Sequence, residues 1–212
     1  KEKITALKLM EMQRHAMLMY ASCGWFFDEL SGIETVQVIQ YAARAVQLYE
    51  SVFAESFEPM FLSRLAAAKS NIPEHQDGRV IYEKFVRPAM VDRKKVSAHY
   101  GLMSLFEPYA DEAKDYCYNV RLEDFERFES GRSKLAIGRV SITSEITRDS
   151  KDYSFGAFHI GNHSMTCGVR KKETQEDYDT MKQELTECFN RADFSEVILM
   201  MDRHFGESSY SL

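Results

Sequence analysis

Three consecutive aromatics, Trp25-Phe26-Phe27, are followed at once by the acids Asp28 and Glu29. They occupy a connection between two helical patterns, where polar turn residues are the norm. Trp25 is the only Trp in 212 residues. Two readings fit. The aromatics can be a hydrophobic plug that pins the connection to the helices. They can also be an aromatic platform facing a partner or a sugar, since flat rings match the apolar faces of pyranoses and Trp is favoured in binding hot spots.

Other residue types that carry chemistry are arranged less suggestively. Neither G-x-G-x-x-G nor G-x-x-x-x-G-K-[ST] occurs, so no phosphate loop is expected. His159 and His163 are four apart across a strand and its turn, a spacing that does not put both on one face, and no Cys or Glu completes a ligand set. No metal and no cofactor is expected. Cys117 and Cys167 read as strand residues and Cys188 as helical beside Phe189, which makes them inert core thiols. His15, His99 and His204 lie in helical patterns and read as structural. Glycoside cleavage needs two carboxylates flanking one bond, and neighbouring acids such as Asp28 and Glu29, or Glu123 and Asp124, are common at helix starts and turns. No catalytic residue is therefore assigned. An independent enzyme would have to draw on the meander, with Arg139, Glu145 and His159 as its polar groups.

The elements that must position these residues follow from periodicity. From Ile4, the residues Leu7, Met10, Met17, Leu18 and Ala21 recur at helical steps, with Arg14 snorkelling at the stripe's edge and a C-cap near Cys23-Gly24. Ser31 and Glu34 read as a capping box opening a helix to about Glu55 that is apolar on two faces. Pro59 opens a third helix, stopped by Asn71-Ile72-Pro73. Ile81 to Val86 forms a fourth segment, and Asp92 caps a fifth helix with Val96, Tyr100, Met103 and Phe106. Then the period becomes two. Tyr116 to Phe128, Leu135 to Ile146, Tyr153 to Ile160 and Met165 to Arg170 read as strands, with turns at Glu129 to Arg132, Asp149 to Asp152 and Gly161-Asn162-His163, and a bulge at Gly138-Arg139. Thr174 caps a helix through Phe189. Ser195 caps a short apolar stretch, Val197 to Phe205, that reads as helix or strand.

The expected fold class is α+β: a mainly helical N-terminal bundle, residues 1–110, followed by a four-stranded antiparallel β-meander covered by C-terminal helices, residues 111–212, with both parts sharing one core. Composition agrees. The chain is 44% hydrophobic and 28% charged with 10 Gly and 4 Pro, the profile of a folded globule. Its net charge of −6 argues against nucleic acid, no stretch approaches a membrane span, and scattered cysteines without a secretory leader suggest a cytoplasmic protein. Lys1-Glu2-Lys3 begins without Met inside a helical pattern, which reads as a piece of a longer polypeptide.

The segments His15-Ala16-Met17-Leu18-Met19-Tyr20, Ser22-Cys23-Gly24-Trp25-Phe26-Phe27-Asp28 and Ser31-Gly32-Ile33-Glu34-Thr35 resemble the domain of unknown function that follows the catalytic barrel in bacterial glycoside hydrolase family 57-like proteins. Leu135 to Val140, Ser154-Phe155-Gly156 and Met201 to Gly206 continue the resemblance. It implies a parent that is a retaining hydrolase or transglycosylase acting on α-glucan or another oligosaccharide, with its catalytic carboxylates on a barrel outside this chain. The partner implied is that barrel. Ser22-Cys23-Gly24-Trp25-Phe26 is similar to a Ser-rich, Trp-containing motif at the rim of the active cleft, but has Gly24 where Asp is usual and Phe26 where Pro is usual. The candidate substrate-binding set is Trp25, Phe26, Phe27 and Asp28. The rival expectation is a structural or protein-interaction domain with no carbohydrate contact.

Overall fold

The structure is a computed structural model that describes residues 1–107, 112–161, 164–206 and 209–211. It divides into two compact units, Lys1–Met90 with Ile146–Arg148, and Val91–Glu145 with Asp149–Leu212.

The first unit is helical: α1 (Glu2–Leu18), α2 (Cys23–Phe26), α3 (Ile33–Phe53), α4 (Glu58–Leu65) and α5 (Gly78–Ile81), the last running on as a π-helical turn, Tyr82–Val86. Its apolar centre is Ile39 and Ala43 of α3, Leu62 of α4, and Ile81, Tyr82 and Val86. Asp77 opens α5, its Oδ1 accepting from the Arg79 and Val80 N–H groups. Tyr82 is buried, and its hydroxyl donates to Glu58 Oε1 at 2.5 Å.

Three expectations are corrected here. α1 ends at Leu18, not near Cys23-Gly24, and its buried position is Glu11, whereas Met10 and Met17 face solvent. Arg14 is not a lone snorkelling cation: Nε and Nη2 make a fork onto Glu11 at 2.8 and 2.7 Å, and His15 Nε2 lies 3.0 Å from the same carboxylate. That fork holds Glu11 below the usual carboxylate range, while burial pulls His15 down. Ser31 is not the cap of α3, which begins after Gly32 without a side-chain cap.

The second unit is a two-faced sheet. The strands β1 (Glu112–Asp115), β2 (Tyr118–Ser130), β3 (Ser133–Ser144), β4 (Ser150–Gly161) and β5 (Ser164–Lys171) form an antiparallel meander, and the short β6 (Ser209–Ser211) pairs with β5. Five meander strands replace the four expected, because Glu112–Asp115 folds back on Tyr118–Arg121 around a tight turn. Tyr116 and Cys117 therefore sit in that turn, not in a strand. Ser130 pairs with Ser133 around Gly131-Arg132, with Gly131 at φ +60°, as the hairpin signal predicts. The other turns differ. The β3–β4 turn lies at Glu145 to Asp149, since β4 already starts at Ser150. Asn162 and His163 lie outside the described residues.

The helix α6 (Arg93–Ser104), capped by Asp92 as expected, covers one sheet face with Val96, Ala98 and Tyr100 against Phe155, Ala157, Cys167 and Val169. α7 (Gln175–Asn190), capped by Thr174, and α8 (Phe194–Phe205), capped by Asp193 and not Ser195, cover the other. There Leu135, Ile137 and Phe158 meet Tyr178, Met181, Leu185, Met201 and Phe205. The fifth predicted helix thus packs on the sheet, and β3 is buried on both faces. The bulge is on β2, between Leu122 and Asp124, opposite the Val140-Arg139 step, and not on β3 at Gly138-Arg139 where it was expected. The extra residue, Glu123, reverses the alternation, so that Leu122 packs towards α6 while Asp124 reaches Tyr178 and Lys182 of α7, at 2.8 and 2.9 Å.

The glycines Gly156 and Gly168 face each other across β4 and β5, and α8 lies directly over them. A Cβ at Gly168 would come 2.5 Å from Phe205 Cβ, at the root of the side chain, whereas one at Gly156 meets Met201 Sδ and the ring edge of Phe205 at 3.0 Å. Gly168→Ala therefore has to move the helix, and is expected to cost about 3 kcal/mol, the upper end for overpacking. Gly156→Ala should cost less. Urea denaturation midpoints of the two variants check the order, and equal midpoints would contradict close seating of α8.

Candidate functional site

The aromatic connection is built on a single turn of helix. After α1 the chain turns through Tyr20 and Ala21, and the Trp25 and Phe26 N–H groups donate to Ser22 O at 3.1 and 3.0 Å to close α2. Gly24 faces α3: a Cβ there would sit 2.8 Å from Val38 Cγ2, so the connection lies as close to α3 as a glycine allows. An Asp at position 24 would not fit without moving Val38, which gives a packing reason for Gly in this motif. Thr35, buried on α3, holds its hydroxyl 3.5 Å from Gly24 O and 3.4 Å from Glu29 O.

The side chains of the connection point away from that seat. Trp25 is 75% exposed, Phe26 72% and Phe27 49%, with the two Phe rings edge to face at 5.2 Å. Asp28 is also exposed. The buried-plug reading is thus overturned by position alone: no ring of the three is in the core. The structure does bring the four candidate residues together, on one short surface segment.

Sequence reading missed what holds this segment. Glu29 accepts from the Ser31 N–H at 2.9 Å and the Ser70 hydroxyl at 2.6 Å through Oε1, and from the Asn71 N–H at 2.7 Å through Oε2. Asn71 Nδ2 donates to Asp28 O, and Ser70 Oγ accepts from the Ile72 N–H at 3.0 Å. The carboxylate thus ties the aromatic connection to the turn after α4. Donation from Ser70 and the two amides holds Glu29 well below its ordinary value, to about 2. The only sequence hint was Asn71-Ile72-Pro73 as a helix stop, and nothing local links it to a residue some forty positions earlier.

The other candidates do not converge. Arg139 and His159 lie on β3 and β4 with partners Ser154 and Lys134, five ladder steps apart, or about 17 Å along the strands. Arg139 is buried, its guanidinium 3.9 Å over the Tyr178 ring and donating to Gln175 Oε1 and Thr174 O. His159 packs against Phe106 at 5.2 Å, and Glu145 pairs with Lys114 at 2.7 Å. His15, His99 and His204 each lie near a carboxylate, at 3.0, 3.8 and 2.7 Å. Cys167 and Cys188 are buried, and burial pushes the Cys167 thiol far above the range of a nucleophile. Among the described residues no group of three or more His, Cys, Asp or Glu could hold a metal ion, and no helix is long and apolar enough to cross a membrane.

A family model described as Domain of unknown function (DUF3536) matches residues 1–212. No curated protein and no solved structure matches the chain.

The Glu29 clamp has a pH signature. Its folded-state pKa lies below the ordinary 4.5, so its contribution to holding the connection is full above that value and is lost as pH falls through about 2. The Ser31 and Asn71 amide proton resonances should titrate together with a midpoint near the lower figure. In Glu29→Gln the titration should vanish, and both amides should exchange faster at neutral pH. A midpoint at the ordinary glutamate value would show that the clamp does not form.

Proposed function

We propose, for a chain that belongs along its whole length to the family described as Domain of unknown function (DUF3536), an accessory role in carbohydrate chemistry. In this reading the chain packs on the catalytic barrel of a glycoside hydrolase family 57-like parent, and Trp25, flanked by Phe26, Phe27 and Asp28, forms part of the rim of the carbohydrate cleft. The catalytic carboxylates, in this reading, belong to that barrel. The observation that carries the reading is the exposure of Trp25, at 75%, on a segment held from behind by Gly24, Thr35 and Glu29. Burying a large apolar side chain is worth about 1.5–3 kcal/mol, and here that gain is left for a partner or ligand. Rigid aromatic anchors are the side chains that sugar faces and hot-spot pockets select.

A second reading, a structural or protein-interaction domain without carbohydrate contact, is favoured by a different observation. The same unit also exposes Met10 at 69%, Met17 at 67%, Tyr20 at 82% and Ile33 at 80%. Aliphatic and thioether side chains suit a protein surface better than a sugar.

The two readings separate in kinetics. In a barrel-bearing parent, Trp25→Ala should lower kcat/KM on a linear α-glucan by about thirtyfold, equivalent to ~2 kcal/mol for a lost hot spot, with the Tm unchanged. Full retention of kcat/KM would overturn the cleft role. Retained kcat/KM with a lowered Tm would instead support the interaction reading, and Met17→Ser should then lower the Tm as well.

A further inference from the structure

Four polar residues form one row across the sheet of the second unit. Asp124 on β2 pairs with Arg139 on β3, Arg139 with Ser154 on β4, and Ser154 with Arg170 on β5. The row faces α7 and α8. Ser154 alternates with Tyr153 and Phe155, which pack on the α6 side, while Arg139 stacks on Tyr178 and Arg170 donates to His204 O and Asp177 O at 3.4 and 3.3 Å. It lies deep: Ser154 is 1% exposed, Arg139 6%, and the Arg170 side chain 14%.

Buried polar groups of a folded protein nearly all find a partner. Three atoms of this row make no hydrogen bond: Arg139 Nε, Ser154 Oγ and Arg170 Nε. Their positions are related. Both guanidiniums are tied to the start of α7 by their outer nitrogens, Arg139 to Gln175 Oε1 and Thr174 O, Arg170 to Asp177 O and, at 3.0 Å, to Glu173. Each Nε is the guanidinium nitrogen nearest the sheet, on a residue directly opposite Ser154, with Cβ atoms about 5 Å apart. Three donors thus flank one position, above the short serine side chain between two long arginines.

We infer that Arg139 Nε, Ser154 Oγ and Arg170 Nε form a buried binding site for a single halide-sized anion, chloride in ordinary solution. Two N–H groups and a hydroxyl call for an acceptor. Water would bring two hydrogens of its own, and the three unpartnered groups offer only the serine oxygen to receive them. An anion accepts from all three and brings none. A carboxylate or phosphate would bring oxygens for which the row holds no further unpartnered donor. Charge agrees, since the Arg139 hydrogen bonds go to neutral oxygens and buried charges are ordinarily paired. Asp124, the carboxylate of the row, is turned to Tyr178 and Lys182, two strand spacings or about 10 Å from Ser154. The inference is independent of the carbohydrate reading, since it uses no residue of the aromatic connection.

An anion held between three strands and the start of α7 binds the folded chain alone and so raises its stability. Thermal unfolding of the intact chain, with sodium chloride replacing sodium gluconate at constant ionic strength, tests this. The Tm should rise saturably, by about 2–4 °C. Ser154→Ala removes one donor and should raise the half-saturating chloride concentration about tenfold. Ser97→Ala removes another buried hydroxyl that makes no hydrogen bond, from α6 on the other sheet face, and should leave it unchanged. Bromide-soaked crystals of the unaltered chain locate the ion whether or not the variants fold, and an anomalous peak beside Ser154 supports the site. A Tm indifferent to chloride, a response weakened equally in both variants, or no bromide peak at Ser154, the result for water as sole occupant, would overturn the inference.

Discussion

The Glu29 carboxylate is the contact on which the exposed aromatic connection depends. Two oxygens accept three donors from two places in the chain, the Ser31 amide beside it and Ser70 with Asn71 in the turn after α4. A connection of small and aromatic residues has little of its own to order it, since Ser22, Cys23 and the three rings are all exposed. Gly24 supplies the second half of the constraint by letting backbone approach Val38 at a distance no side chain tolerates. One interaction is electrostatic and one is steric, and together they fix a backbone whose side chains are not themselves packed. Ordering the segment in advance removes that entropic cost from any later binding step, which is how a rigid loop gains affinity without new contacts.

The second unit solves a different problem. A meander usually has one wet face, but here both faces carry helices, and polar groups along the strands must be satisfied inside. Asp124 does this through the bulge at Glu123, which turns it towards the Tyr178 hydroxyl and Lys182. Arg139, buried on the same face, stacks on Tyr178 and donates to the start of α7. Its charge is delocalised over a planar group lying on an aromatic face, an arrangement suited to a buried guanidinium with no carboxylate among its hydrogen-bond partners. Close seating of α8 over Gly156 and Gly168 explains why two glycines persist in strand interiors that otherwise disfavour them.

What was legible in the sequence was local. Asp92 and Thr174 cap the helices they were expected to cap, because capping needs only a side chain and an amide three residues on. Gly131 marks its hairpin for the same reason, and the aromatic connection stood out by composition alone. Failures occur where a distant partner decides. Met10 and Met17 have helical spacing, yet α1 turns Glu11 inward, since the Arg14 fork and His15 make a buried carboxylate tolerable. The break at Gly138-Arg139 comes from a strand covered on both faces, Leu135 and Ile137 packing under α7 and α8 and Val140 and Ile142 under α6, while the extra residue lies on β2. Asp92 begins a helix in either setting, so its cap is silent about whether that helix joins a bundle or covers a sheet. The Glu29 clamp joins residues far apart in sequence, which periodicity does not register.

Exposure alone does not distinguish a sugar platform from a protein contact, but the manner of support bears on it. A surface evolved only to be covered by another protein can tolerate a loose connection, because the partner's packing orders it on binding and a large buried area absorbs the entropy. A sugar offers one ring face and a few hydroxyls, too little to order a mobile loop and still bind usefully. A small ligand therefore requires the aromatic to be placed beforehand. In this chain the placement is independent of any partner: Glu29, Thr35 and Gly24 hold the backbone, and none of them is among the exposed rings. Trp25 is thus presented by a rigid seat, while Met10, Met17 and Ile33 project from α1 and α3 as ordinary helix-surface residues. The asymmetry between a clamped aromatic and unclamped aliphatics is what supports the proposed division, in which Trp25 would meet a ligand and the aliphatics a protein surface.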